Sequence, residues 1–96
     1  MTARIGILTL TLECGTASTL KEKRSLIKPF SIRSRQAYNF SIAETGHQDS
    51  PRQTEFTFVR ACDDVKVIQA DFSSFLNWCE SHFPELPIFS QHLEII

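Results

Sequence analysis

Glu44, His47 and Asp49 are the residues whose types and spacing could support acid–base chemistry. Carboxylates and a histidine in one short segment can transfer protons when they lie within hydrogen-bonding reach. This segment is also rich in turn-forming residues, and polar side chains in such segments usually form turns and bind water. We therefore predict no catalytic residue and no enzymatic activity. We expect Glu44 to pair with a cation, either Lys23 or Arg24.

The three cysteines, Cys14, Cys62 and Cys79, are far apart in the sequence. No C-x-x-C pair occurs, and no histidine or cysteine stands at a metal-ligand spacing from another. The loop of residues 14–18 contains one glycine, whereas phosphate-binding loops contain several. The sequence therefore predicts free, buried or half-buried thiols in a reducing compartment, with no metal and no cofactor.

Positive charge concentrated between residues 21 and 35 is the feature that indicates a binding function. The chain of 96 residues has a formal net charge of −1, yet Glu22 is the only acid in this segment. Lysine and arginine supply most of the nonspecific affinity for nucleic acid through phosphate contacts. The candidate nucleic-acid-binding residues are Lys21, Lys23, Arg24, Lys28, Arg33 and Arg35. Those at 21, 24, 28 and 35 should share one wet flank of a helix.

The elements that position these residues follow from periodicity. Residues 4–13 alternate, which predicts a central strand with leucines on one face and Ile7 on the other. A capping box at Thr19 and Glu22 predicts a helix from Leu20 to Ala37. Pro29 cannot donate a backbone hydrogen bond, which predicts either a kink near Ser25 or a helix whose two halves bend round the sheet.

The remaining chain predicts a strand at 40–44, a long turn-rich connection at 45–54, a strand at 55–62, a second helix capped by Asp63 or Asp64, and a last strand at 88–96. The order βαββαβ predicts a single α+β domain over residues 1–96. This is a ferredoxin-like sandwich with an antiparallel four-stranded sheet of order 4-1-3-2 and two helices on one face. No segment has the length and apolarity of a membrane span or a signal peptide, so we expect a cytoplasmic location.

The sheet face opposite the helices has no cover within one subunit, and an apolar patch there would favour self-association. The candidate interface residues are Ile7, Phe56 and Phe58, with Trp78 as a second anchor off the apolar stripe of the second helix. The two phenylalanines are explained equally well as ordinary core. The sequence leaves open which face of the third strand is buried.

Two motifs resemble the signature of a known family. Residues 19–25 read Thr-Leu-Lys-Glu-Lys-Arg-Ser, and residues 38–44 read Tyr-Asn-Phe-Ser-Ile-Ala-Glu. Both are similar to the small bacterial YlxP-like family, which implies a ferredoxin-like fold and genes beside ribosome-maturation and translation-initiation factors. The resemblance carries no catalytic residue. Where that family has Trp-Gln-Arg before the third strand, residues 51–53 are Pro-Arg-Gln, so an aromatic side chain is lost.

These observations lead to three functional hypotheses. The first is a non-enzymatic module that binds RNA or a ribosomal particle through the basic first helix, with Phe56 and Phe58 stacking on bases. The alternative is a homo-oligomerising module, such as a homodimer, that uses the open sheet face. An enzyme or ligand sensor built on Glu44, His47 and Asp49 is the least favoured.

Overall fold

The structure, a computed structural model, describes residues 2–96, which form six elements: β1 (Arg4–Glu13), α1 (Leu20–Ala37), β2 (Ser41–Gly46), β3 (Gln53–Cys62), α2 (Val65–His82) and β4 (Ile88–Ile95). All strand pairs are antiparallel, and the sheet order is β2-β3-β1-β4. The predicted βαββαβ sandwich and its strand order are confirmed. The edge strands are therefore β2 and β4.

The buried face of the sheet is set by the alternation in β1. Leu8, Leu10 and Leu12 are each at most 1% exposed. Leu8 pairs with Phe58 and Leu10 with Phe56 across the β1–β3 ladder. Since directly paired residues point to the same face, both phenylalanines face the helices. The register thus shows which face of β3 is buried, a point that the sequence left open.

An aromatic cluster joins both helices to this face. Phe30 of α1 meets Phe56 edge-on with ring centroids 5.4 Å apart, and Phe75 of α2 lies 4.7 Å from Phe58. Edge-to-face and offset arrangements of this kind add to the stabilisation that burial gives. Where α2 crosses β1, a Cβ at Gly6 would collide with side chains of α2, so the close approach of helix and strand requires glycine.

The helix α1 begins at the predicted residue, and one of the two hydrogen bonds of the predicted capping box is present. The Thr19 hydroxyl oxygen accepts a hydrogen bond from the Glu22 N–H at 3.1 Å. The Glu22 carboxylate accepts from the hydroxyls of Ser18 and Thr19. The helix then continues through Pro29 to Ala37. Asp64 is the residue that caps α2, where it accepts from the Lys66 N–H.

The connection between β2 and β3 is shorter than predicted. The strands extend to Gly46 and from Gln53, so the loop contains only residues 47–52. The ladder continues past a β-bulge at Thr45 to Gly46, which pairs with Glu55. The Thr45 hydroxyl also bonds the side chains of Glu55 and Thr57 across the strands. His47 begins the loop with a positive φ of 58°.

Candidate nucleic-acid interface

A groove of about 460 Å³ lies between α1 and the edge strand β2. It is lined by Arg24, Ile27, Lys28, Ser31, Ile32, Arg35, Glu44 and Phe56. Three of the predicted cations therefore meet in one depression, with apolar side chains between them. This groove is the structural feature that best matches the predicted basic surface.

Helical periodicity explains why these cations share the groove. Positions 24, 28 and 35 recur at spacings of four and seven residues, which keeps them on one flank of a helix. Lys21 is exposed one turn away, and Lys28 and Arg35 are exposed as well. The prediction that these three side chains point to water is confirmed.

The guanidinium of Arg35 is held in place at one end of the groove. It donates hydrogen bonds to the Ser31 hydroxyl and to the Ile42 carbonyl oxygen, each at 2.9 Å. These two contacts fix the side chain against the edge of β2. A positioned guanidinium loses less conformational entropy on binding an anion than a free one does.

Lys23 does not belong to this surface, and its prediction as a nucleic-acid contact is wrong. Its side chain is 2% exposed. Its ammonium donates to the carbonyl oxygens of His47 at 2.7 Å and Gln53 at 3.2 Å. It thus ties both ends of the β2–β3 loop to α1. Positions 23, 27, 30 and 34 are the buried residues of α1, and this spacing was the signal that could have identified Lys23 as a core position.

Glu44 pairs with Lys23, as predicted. Its Oε2 lies 3.4 Å from the Lys23 Nζ and accepts a hydrogen bond from the Thr54 hydroxyl at 2.7 Å. Within residues 2–96, no hydrogen bond joins the side chains of Glu44, His47 and Asp49. The carboxylate is therefore committed to a buried ion pair, and the three residues do not form one acid–base unit.

Arg33 lies on the other flank of α1. Its guanidinium carbon lies 4.8 Å from the centroid of the Phe83 ring, which is a cation–π distance. Arg33 is exposed, but it does not line the groove. The six predicted cations therefore divide into Lys21, Arg24, Lys28 and Arg35 at or near the groove, Arg33 on the far flank, and Lys23 in the core.

The predicted interface residues are also dispersed. Phe56 and Phe58 are 3% and 0% exposed, so their prediction as open-face contacts or base-stacking residues is wrong: their register with Leu10 and Leu8 turns them towards the helices. Trp78 is half-buried in the helix layer, stacked between Phe75 and His82. Ile7 alone among the four lies on the open face, where it pairs with Val59.

The cysteines are free, as predicted, and Cys14 and Cys79 are buried. Burial raises the pKa of the Cys14 thiol, an effect that Lys23 opposes and Glu44 reinforces. Burial, with a smaller effect of Glu80, raises the pKa of Cys79 to about 12. Neither thiol is a nucleophile near neutral pH, because the thiolate is the reactive form. Within residues 2–96, no group of three or more His, Cys, Asp and Glu side chains could hold a metal ion.

Neither helix in the described part of the chain is long and apolar enough to cross a membrane. Residues 5–92 match the model of a family described as "Protein of unknown function (DUF503)". A Bacillus subtilis (strain 168) protein named "Uncharacterized protein YlxP" is 31% identical over 70 residues, which cover 73% of this chain and 75% of that protein. The resemblance seen in residues 19–44 thus extends over most of the domain, and the chain belongs to the DUF503 family.

Proposed function

We propose that the chain is a non-enzymatic module that binds RNA, free or within a ribosomal particle, through the groove between α1 and β2. One observation carries this proposal: Arg24, Lys28 and Arg35 line a single open groove. Cations held at fixed spacing beside a depression suit the phosphates of a flexible strand.

The charge balance inside the groove supports the same function. Glu44 is the only carboxylate that lines it, and the buried Lys23 ammonium lies 3.4 Å from that carboxylate. The ion pair compensates the charge of Glu44, so the three exposed cations leave the groove positive. The formal charge of the whole chain is −1, so attraction for an anion depends on local clusters of cations such as this one.

The size and lining of the groove suit part of a single-stranded segment. Its volume of about 460 Å³ lies within the range of sites that enclose small organic molecules. Ile32 is 43% exposed between the cations, so a ribose or base can pack on it while phosphates contact Lys28 and Arg35. Base recognition by stacking on Phe56 and Phe58 is excluded from this proposal because both rings are buried.

The alternative, self-assembly through the open sheet face, has less support. Of its four candidate contacts only Ile7 lies on that face, and Ile7 is half-buried. Threonines occupy much of the remaining face, among them Thr9, Thr11 and Thr57. The RNA-binding proposal is therefore the one that the geometry supports best.

A salt titration tests the proposal. Anisotropy of a labelled oligouridine should show binding at low salt, with a logarithmic salt slope of about −2, because each single-strand phosphate contact contributes about −0.7 and three cations line the groove. The deoxy counterpart of the oligonucleotide measures the contribution of the ribose. Absence of binding at low salt, or a slope near zero, would overturn the proposal.

A further inference from the structure

The two edges of the sheet are protected to different degrees. On β2, Arg35 donates to the Ile42 carbonyl and Gln48 donates to the Glu44 carbonyl. On β4, within residues 2–96, the only hydrogen bond from a side chain to a backbone group is that of Arg4 to the Ile96 carbonyl, beyond the end of the strand. Exposed strand edges pair with other strands unless side chains, charge or bulges block them.

The backbone groups that β4 leaves free follow from its pairing with β1. Ile5 and Ile96 exchange both backbone hydrogen bonds, at 2.8 and 2.9 Å. In an antiparallel ladder, residue pairs that exchange backbone hydrogen bonds alternate with pairs that exchange none. The register of β1 and β4 continues in this way through Thr9, which lies opposite His92. Up to the β-bulge between Thr11 and Leu12 of β1, the residues of β4 that bond β1 are therefore Ser90, His92 and Glu94. Gln91, Leu93 and Ile95 direct their N–H and C=O groups outward.

Three large apolar side chains are exposed at or just beyond this edge. Phe89, Leu93 and Ile96 are 63%, 40% and 60% exposed. Leu93 and Gln91 also line a groove of about 400 Å³ between β4 and α2, because α2 packs over β1 and β3 and leaves β4 uncovered. Glu94 is the only carboxylate in the strand, and the strand has no lysine or arginine.

We propose that β4 is a dimerisation edge, on which β4 of a second copy pairs in antiparallel orientation to join the two sheets. The positions of His92 and Glu94 favour a second copy as the occupant, because a histidine ring N–H can donate a hydrogen bond to a carboxylate. A two-fold axis beside Leu93 places His92 of each copy opposite Glu94 of the other, and Leu93 opposite its own counterpart. This register also brings outward-facing backbone groups together at Leu93, as an antiparallel pair requires.

Neighbouring registers are less favourable. A shift of the axis to Glu94 sets that carboxylate opposite itself, and like charges directly opposite in a ladder are destabilising. A shift of the axis to His92 sets Glu94 opposite Ser90 and separates the carboxylate from the histidine. The dimer does not depend on RNA binding, because the groove beside β2 lies at the opposite edge of the sheet and remains open.

Sedimentation equilibrium of the full chain over a range of micromolar concentrations tests the proposal. The mass should rise from 11.0 kDa towards twice that value. Leu93→Lys should hold the mass at that of the monomer. Val67→Lys is the matched control, because Val67 is 38% exposed, close to the value for Leu93, but lies on the flank of α2 away from β4.

A charge exchange tests the register without altering the apolar contacts. His92→Glu sets two pairs of carboxylates opposite each other and should weaken self-association about tenfold. The double variant His92→Glu/Glu94→Lys sets a carboxylate opposite an ammonium in both pairs and should recover at least the wild-type affinity. A chain that stays monomeric throughout, a dimer insensitive to Leu93→Lys, or a dimer dissociated instead by Thr57→Lys on the open face would overturn the proposal.

Discussion

The Nζ of Lys23 lies 3.4 Å from the Oε2 of Glu44, with the lysine 2% and the carboxylate 26% exposed. The ammonium also donates to two carbonyl oxygens that flank the β2–β3 loop. A buried ammonium with three acceptors is satisfied, whereas its removal would leave the Glu44 carboxylate without its cation and each carbonyl oxygen with one donor fewer. The pair therefore connects α1 to the β2–β3 hairpin, which contributes Glu44 and Phe56 to the lining of the groove.

Removal of this lysine should destabilise the domain. Lys23→Met preserves much of the side-chain volume but leaves the Glu44 carboxylate without its cation and removes one donor from each of two carbonyl oxygens, so we expect the free energy of unfolding in urea to fall by about 3 kcal/mol. Lys21→Met is the control, because Lys21 is exposed on the same helix. Adding Glu44→Gln to Lys23→Met should recover part of the loss. Equal effects of Lys23→Met and Lys21→Met would show that the buried contacts contribute no stability.

The sequence predicted most of the fold because its signals are local or topological. The alternation of β1, the cap at Thr19 and the apolar spacing of α2 each depend on neighbouring residues. The sheet order then follows from two crossovers of fixed hand. The face of β3 was not predictable in this way, because Phe56, Phe58 and Val59 are all strand-forming residues and only the register with β1 separates them.

The site was only partly predictable for a related reason. The flank formed by Arg24, Lys28 and Arg35 follows from helical spacing alone. The burial of Lys23 depends instead on acceptors at His47 and Gln53, which are 24 and 30 residues away in the sequence. Charge suggested a surface position, while spacing suggested the core; the carbonyl oxygens of the hairpin decide in favour of the core.

The contact between Gly6 and α2 gives a second test of the packing. Gly6→Ala adds a methyl group that would collide with Ile68 and Phe72. Forcing such a group into a packed core typically costs about 1–3 kcal/mol, and we expect a loss in this range by chemical denaturation. Gly15→Ala is the matched control, since no atom lies within 4 Å of its added Cβ and no glycine in residues 2–96 has a positive φ. A loss at Gly15 as large as that at Gly6 would contradict the proposed clash.

The buried thiol of Cys79 predicts a change of stability at alkaline pH. Burial raises its pKa from 9.0 to about 12, so the folded state retains a proton that the unfolded state releases first. The stability that this thiol contributes is therefore fully present below pH 9.0 and declines as the pH rises towards about 12. Cys79→Val should show a smaller decline than the wild type when urea unfolding is measured across this interval. Parallel curves for the two proteins would refute the assignment.

The division of cations along α1 gives the sharpest test of RNA binding. Arg24→Gln/Lys28→Gln removes two charges that line the groove without disturbing the hydrogen bonds of Arg35. We expect oligouridine affinity to fall about tenfold at low salt and the magnitude of the salt slope to fall by about 1.4, since each lost phosphate contact removes about 0.7. Lys66→Gln on α2 should leave both quantities unchanged.

Arg33→Gln tests whether RNA contacts the groove or the whole of α1. Arg33 faces Phe83 on the opposite flank of the helix, so this substitution should have little effect on oligouridine affinity. A loss of affinity equal to that caused by Lys28→Gln alone would show that RNA does not follow the groove.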